Sequence, residues 1–352
     1  MTEEHFYNES HRSIAAVIAA AAIAGCSGSP TSQSAALTPG TDARSVSGTP
    51  AQLAMRGIAN LGVPAAMHAS TAKSWMLPAA KKDRLLYVSA EVDGNVVVYS
   101  YPKGQPVGTL TGLNTPSGIC TNDKLGEVYI INGGGTTISV YSHGGTTPIR
   151  TLNLPGYPEL NCAVDKKTGN LAIGALVTGE IGQIVVFPQA QGKPLVYDAS
   201  GQDGIPGCAY DNKSNLYCDA YSSDNHDFAL YEIAKNSAYA QAVSVSGTSG
   251  LRAGPMMWDG KNLSFGSGAG GSLYQIALTG SGGSISGSTV LQGTGWVWQY
   301  WIIGKRVIAP TYGGSASTIV GYYKYPAGGV ATKAIETGFD QPDGAAVSNA
   351  KI

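Results

Sequence analysis

From Lys81 to Ile352 the apolar residues fall in short runs, many of them alternating with polar ones. Asn95-Val96-Val97-Val98-Tyr99 and Thr137-Ile138-Ser139-Val140-Tyr141 show the pattern. A period of two predicts strands with one face turned inward. The runs stop at residues that suit tight turns, as in Asp93-Gly94-Asn95, Lys167-Thr168-Gly169-Asn170 and Asp259-Gly260.

The runs recur. A strand ending in an apolar-aromatic pair occurs at Val98-Tyr99, Val140-Tyr141, Val186-Phe187, Leu230-Tyr231, Leu273-Tyr274 and Tyr322-Tyr323, with steps of 42, 46, 44, 43 and 49. A second landmark is a Pro/Gly start to a short strand, at Pro116-Ser117-Gly118, Pro158-Glu159-Leu160, Pro206-Gly207, Pro255-Met256 and Pro342-Asp343-Gly344. A third follows a turn, at Leu86-Tyr87, Val128-Tyr129, Leu171-Ala172, Leu216-Tyr217, Leu263-Ser264 and Val307-Ile308. Units of this size have room for four short strands, the content of one propeller blade. The expectation is an all-β fold over 81–352, a six-bladed β-propeller of four-stranded antiparallel blades. The last unit stops before its third landmark and the first begins with an unpaired one. The N-terminal strand is therefore expected to complete the C-terminal blade and close the ring, which removes an exposed sheet edge.

The residues ahead of the repeats read differently. Ile14 to Ala24 is an apolar run of 11, too short to span a bilayer, which needs about 20 residues. It ends in Ile23-Ala24-Gly25-Cys26, which resembles the bacterial lipobox. That resemblance implies a signal peptide over 1–26, lipid on Cys26, and a membrane partner held through acyl chains. Ser27 after the Cys implies the outer membrane by the same analogy. Residues 27–80 begin with a Ser/Thr/Pro/Gly-rich stretch that cannot bury enough surface to offset chain entropy, so they are expected to form a tether. Within them Ala51–Leu61 has the makings of a short helix, and Trp75-Met76-Leu77-Pro78 of a segment that docks on the folded domain.

Composition narrows the partners. The net charge is −1, with charged residues at 13 %, so nothing favours nucleic acid. Few charges and 48 glycines describe an exported all-β monomer better than a cytosolic helical enzyme.

The segments PSGICTNDKLGEVYI, NCAVDKKTGNLAI and GCAYDNKSNLYC resemble the core of the NHL repeat: a Pro-x-Gly start, an apolar residue, Asp, a turn, then Gly-Asn and an apolar-Tyr pair. Over about 270 residues the chain is similar to extracytoplasmic NHL-type propeller lipoproteins, with the units from about 250 to 320 departing from the pattern. The resemblance speaks to fold and hardly to function.

Candidate chemistry is sparse. Asp123, Asp165, Asp211 and Asp259 recur at one turn position, where an Asx turn accounts for them. Ser117, Glu159 and Asp343 share the Pro/Gly start, and antiparallel pairing adds Glu91, Asn132 and Asp219 at the same rim. Six-bladed lactonases hold a divalent cation with such oxygen groups, so a calcium-dependent lactonase or lyase is the alternative to a binding module. Here the blades contribute unlike residues, and no cofactor is expected under the leading reading. His143 lies in a polar turn as a surface residue, His226 is the other histidine in the folded region, and no Ser-His-Asp order or Gly-x-Ser-x-Gly elbow appears. Alternation places Trp296, Trp298 and Tyr300 on one face of a strand, either as core or as a surface that stacks sugar or peptide. The ligand-binding candidates are thus Glu159, Asp219, Asp343, Trp298 and Tyr300, facing a protein, peptide or carbohydrate.

Cys120, Cys162 and Cys208 occupy one position on the innermost strand, where a small buried side chain fits between blades. A zinc site would need a close-spaced pair that these thiols lack. For Cys208 a bridge to Cys218 is the competing expectation. A turn on Asn212-Lys213-Ser214 pairs Asp211 with Asn215 and so sets Cys208 opposite Cys218, within reach of a disulfide in an oxidising compartment.

The lipobox yields a direct test. Cys26→Ala is expected to release the protein from the membrane fraction or leave the precursor uncut. Unchanged partitioning on cell fractionation would exclude lipid anchoring at Cys26.

Overall fold

The computed structural model describes residues 72–351 apart from 178–180, 200, 223–226, 269, 281 and 314–315. The signal peptide, Cys26, the segment Ala51–Leu61, most of the expected tether and His226 lie outside the described residues.

Turn residues cut the described residues into 26 strands. Strands β1 (Trp75–Met76), β2 (Leu85–Ala90), β3 (Asn95–Ser100) and β4 (Gln105–Leu110) come first. Then follow β5 (Pro116–Asn122), β6 (Glu127–Asn132), β7 (Thr137–Ser142) and β8 (Pro148–Asn153), which form one four-stranded sheet. The next two are built alike: β9 (Tyr157–Val164), β10 (Leu171–Val177), β11 (Ile181–Phe187) and β12 (Leu195–Asp198), then β13 (Gly204–Tyr210), β14 (Leu216–Tyr221), β15 (Ala229–Ile233) and β16 (Gln241–Val243). In these sheets sequence neighbours pair antiparallel.

The repeats from 250 onward depart from this plan. Strands β17 (Val245–Ser246), β18 (Met256–Trp258), β19 (Leu263–Gly266), β20 (Ser272–Thr279), β21 (Gly282–Gln292), β22 (Trp301–Ile303), β23 (Arg306–Thr311), β24 (Ile319–Lys324) and β25 (Gly328–Ile335) merge into one nine-stranded sheet. The union is made by β21, long enough to pair parallel with β17 at one end and with β25 at the other.

The last strand, β26 (Pro342–Ser348), does not pair with its sequence neighbours. It lies antiparallel to β2, so one sheet runs β1-β4-β3-β2-β26. The C-terminus thus lends a single strand to a sheet otherwise built from the N-terminal repeat. The folded region also starts ahead of Lys81, because Trp75 pairs with Thr109 and Met76 with Gly108.

At the innermost strands of successive sheets there is no room for side chains. A Cβ on Gly344 of β26 would collide with the Ser117 carbonyl oxygen of β5, and one on Gly118 with the Leu160 carbonyl of β9. One on Gly207 of β13 would meet the Gly254 carbonyl just ahead of β18. The Pro-x-Gly start is therefore a spacing device: Gly lets the backbone of the next sheet approach.

Polar turns behave as their residues demand, with one exception. Asp165 Oδ1 accepts from the Lys167 amide (2.9 Å), Asp211 Oδ1 from Lys213 and Asn215 (2.7 and 2.9 Å), and Asp259 Oδ1 from Lys261 and Asn262 (2.8 and 2.7 Å). Asp123 instead accepts from the backbone and side-chain nitrogens of Asn349, tying the C-terminal tail to the β5–β6 turn. His143 is likewise no free surface residue. Its Nε2 donates to the Asp83 carbonyl (2.9 Å), which leaves Nδ1 to accept from Ser348 Oγ (2.8 Å). Burial lowers its pKa despite the Asp83 carbonyl and the nearby Asp123.

Two disulfides are formed. Cys208 and Cys218 are opposed in the β13–β14 register, with sulfurs 2.08 Å apart and Asp211 N donating to Asn215 O (2.9 Å). Cys120 and Cys162, expected as buried wedges, are joined across two sheets, from β5 to β9. Adjacent innermost strands bring their Cα atoms to 5.9 Å, which is disulfide range. By loop entropy this bridge, closing 42 residues, contributes about 4 kcal/mol against about 2.5 for the one closing 10.

Gly118→Ala and Gly344→Ala are each expected to cost about 1–3 kcal/mol through overpacking. Thermal melts should drop by about 2–4 °C for each kcal/mol lost. Gly280→Ala is the control, since nothing lies within 4 Å of its Cβ position; equal melting of all three would refute the spacing role. Separately, tryptic mapping without reductant should recover Cys120 linked to Cys162 and Cys208 linked to Cys218. Cysteines alkylated in denaturant before reduction would exclude the corresponding bridge.

Candidate functional site

The innermost strands are irregular where they begin. Between Pro116 and Ile119, Pro158 and Cys162, Gly204 and Gly207, and Pro342 and Ala345, each slips register against its neighbour. Bulges re-aim side chains, and these contain Ser117, Glu159, Asn161 and Asp343, with Asp219 on β14 directly opposite Gly207.

Gln299 binds these strands together. Its side chain is 2 % exposed. Its Oε1 accepts from the amides of Ile119 (2.9 Å) and Ala345 (3.1 Å), and its Nε2 donates to the Ile119 carbonyl (2.9 Å) and to Asn161 Oδ1 (3.2 Å). Asn161 Nδ2 donates onward to the Met256 carbonyl (3.1 Å). One amide thus touches β5, β9 and β26, and a second carries the web to β18. Ser89 adds a further link, its hydroxyl donating to the Ser117 carbonyl (2.5 Å) and accepting from the Gly344 amide (2.7 Å).

Beside Gln299, the half-buried Trp298 donates through Nε1 to the Tyr312 hydroxyl (3.0 Å). That hydroxyl donates to Asp343 Oδ1 (3.4 Å), a carboxyl only 2 % exposed. Trp296 meets the Tyr312 ring edge-on, with centroids 5.7 Å apart. An indole, a phenol and a carboxyl so linked present an aromatic surface with an oriented hydrogen-bonding group behind it.

Asp219 is fully buried, and Gly254 donates its amide to Oδ2 (2.9 Å). Burial raises its pKa well above the ordinary carboxylate range; the backbone donors oppose the rise, and Glu159 adds to it. Glu159 is half-buried. Among the other candidates at this rim, Ser117 is buried, Glu91 is half-buried, and Asn132 donates to Thr137 and Ser139 (both 3.0 Å).

Of the two readings for the aromatic stripe, Tyr300 follows the core and is no surface for a ligand. It is 2 % exposed in a core cluster with Val297, Ile302 and Tyr323, and its hydroxyl donates to Ser264 Oγ (3.0 Å). Only Trp296 makes an isolated bridge there, to Tyr312, and the strand begins at Trp301. The bend at Trp298 breaks the assumed alternation, so Gln299 and Tyr300 are both buried. Sequence reasoning missed Gln299, Asn161, Tyr312 and Ser89; a lone amide inside an aromatic run was the one visible signal, at Gln299.

Among the described residues no group of three or more His, Cys, Asp or Glu is placed to hold a metal. Glu159, Asp219 and Asp343 lie on three separate strands, β9, β14 and β26.

No family model matches the chain. No curated protein matches it either. Solved structures do. A chain in the crystal structure of a nidogen/laminin complex aligns with a TM-score of 0.56 at 13 % identity, covering 76 % of this chain and 100 % of that one. A protein of unknown function from Bacteroides caccae gives 0.56 at 12 % identity, covering 76 % and 99 %. A chain of Kuenenia stuttgartiensis hydrazine synthase gives 0.52 at 13 % identity, covering 75 % and 77 %. At such identities the likeness carries fold alone. Four-stranded antiparallel sheets, innermost strands in backbone contact and these structural neighbours together establish a β-propeller.

Proposed function

We propose that this propeller is a binding module of the bacterial cell envelope, anchored by lipid on Cys26 and taking a protein, peptide or carbohydrate at the bulged ends of its innermost strands. The ring has six blades in this reading, of NHL-like repeats, with closure through the β2–β26 pairing. The bearing observation is the chain Trp298–Tyr312–Asp343, a partly exposed indole held in place by a phenol and a buried carboxyl. Beneath it Gln299 and Asn161 fill the space between innermost strands. That arrangement suits a ligand resting on the rim better than one passing down a channel. Two disulfides agree with an oxidising, extracytoplasmic setting. The outer membrane is the proposed address, and the monomer the proposed state.

The test is a screen of oligosaccharide and peptide arrays, followed by titration of the best binder with tryptophan fluorescence. Trp298→Ala and Asp343→Asn are each expected to weaken binding about tenfold or more, about 1.4 kcal/mol. Wild-type affinity in Trp298→Ala would place binding elsewhere and refute the rim site.

A further inference from the structure

The outer edges of the sheets differ in a way the rim site does not explain. In the first sheet the outer edge of β4 is covered by the chain itself: β1 pairs with it antiparallel, and Leu77 N donates to the Val107 carbonyl (2.8 Å). The second sheet has the same geometry without the cover. Val98 opposes Gly108 and Tyr99 opposes Pro106 across a bulge; Val140 opposes Arg150 and Tyr141 opposes Pro148 across the same bulge. Val107 and Ile149 are thus equivalent bulged residues. Val107, under the cover, is 8 % exposed, whereas Ile149 is 51 % exposed. Strand β8 ends its sheet, so among the described residues no strand lies beside its outward backbone groups.

A shallow groove of about 470 Å³ runs along that open edge. One wall is Arg150 to Asn153 of β8, the other Gln191 to Pro194 ahead of β12. Arg150 makes a two-pronged pair with Glu127 (2.8 and 2.6 Å) and donates through Nε to the Ala190 carbonyl (3.3 Å), so its charge is already met. Lys193 is exposed and has no ion-pair partner among the described residues.

We infer that the outer edge of β8 is a docking surface for an extended, acidic peptide segment of a partner protein, added antiparallel as β1 is added to β4. The chain itself shows which kind of structure covers such an edge. Edge addition supplies main-chain hydrogen bonds, while side-chain positions supply selectivity. An apolar residue of the partner covers Ile149, a small one passes Arg150, and a carboxylate reaches Lys193. Small is required because Gly108, at the position of Arg150, is where Met76 sits closest in the first sheet. This surface is separate from the rim bearing Trp298.

The probe is a synthetic heptapeptide with the sequence of residues 72–78 carrying Lys73→Glu and Met76→Gly, added to the full chain at up to about 5 mM, a range that detects millimolar affinity. Hydrogen exchange should show saturable protection confined to 148–153. Ile149→Asp is expected to weaken it about tenfold, and Lys193→Glu about threefold with loss of its salt dependence. Both positions are exposed, and unchanged melting temperatures confirm intact folding. No protection at the highest concentration overturns the inference, as does protection that follows protein rather than peptide concentration, which assigns the edge to a second copy. Affinity unchanged in Lys193→Glu overturns the acidic partner. Trp298→Ala serves to separate the two sites: it weakens rim binding about tenfold or more and leaves β8 protection intact.

Discussion

Strands that converge from successive sheets must approach one another more closely than side chains allow. At Gly344, Gly118 and Gly207 the absence of a Cβ admits the carbonyl of the following sheet, so the contact there is backbone on backbone. Such approach desolvates peptide groups, and each must then find a partner. Gln299, Asn161 and Ser89 supply donors and acceptors for the groups left over where the bulges interrupt regular pairing. The glycines set the spacing, the spacing creates polar obligations, and buried amides meet them.

The same constraint shapes what the rim can offer. Because Gln299 and Asn161 occupy the space between innermost strands, the proposed site lies on the surface above them. Trp298 stands there as the immediate neighbour of Gln299, so the residue that ties three sheets also fixes the backbone beneath the indole. Asp343 shares a strand with Ala345, whose amide Gln299 accepts. Binding groups on such short tethers to a buried web are preorganised, which lowers the entropy lost on association.

Much of the fold was legible because it is local. Period-two runs, Asx turns at Asp165, Asp211 and Asp259, and the register that sets Cys208 against Cys218 each involve a few consecutive residues. What escaped depends on distant segments. Asp123 forgoes its own turn for Asn349, 226 residues away. Cys120 meets Cys162 because two sheets meet, and no hairpin count reveals that. In the aromatic stretch a strand was assumed where the chain bends, and the choice of core over surface for Tyr300 is decided only by the fold. Gln299 was invisible for a similar reason: its worth lies in three strands that only the folded chain brings together.

The pairing of β26 with β2 also governs the order of events during synthesis. The first sheet takes its outer strands from one local repeat, whereas its innermost strand, β26, comes from far along the sequence. Until that strand arrives β2 keeps an open edge, and the carbonyl of Ser117 lacks the glycine it packs against. A nascent chain in this condition gains little from early collapse, because the contacts that would reward it have a very large sequence separation. The first sheet therefore stays one strand short until segments near the two ends of the described residues meet.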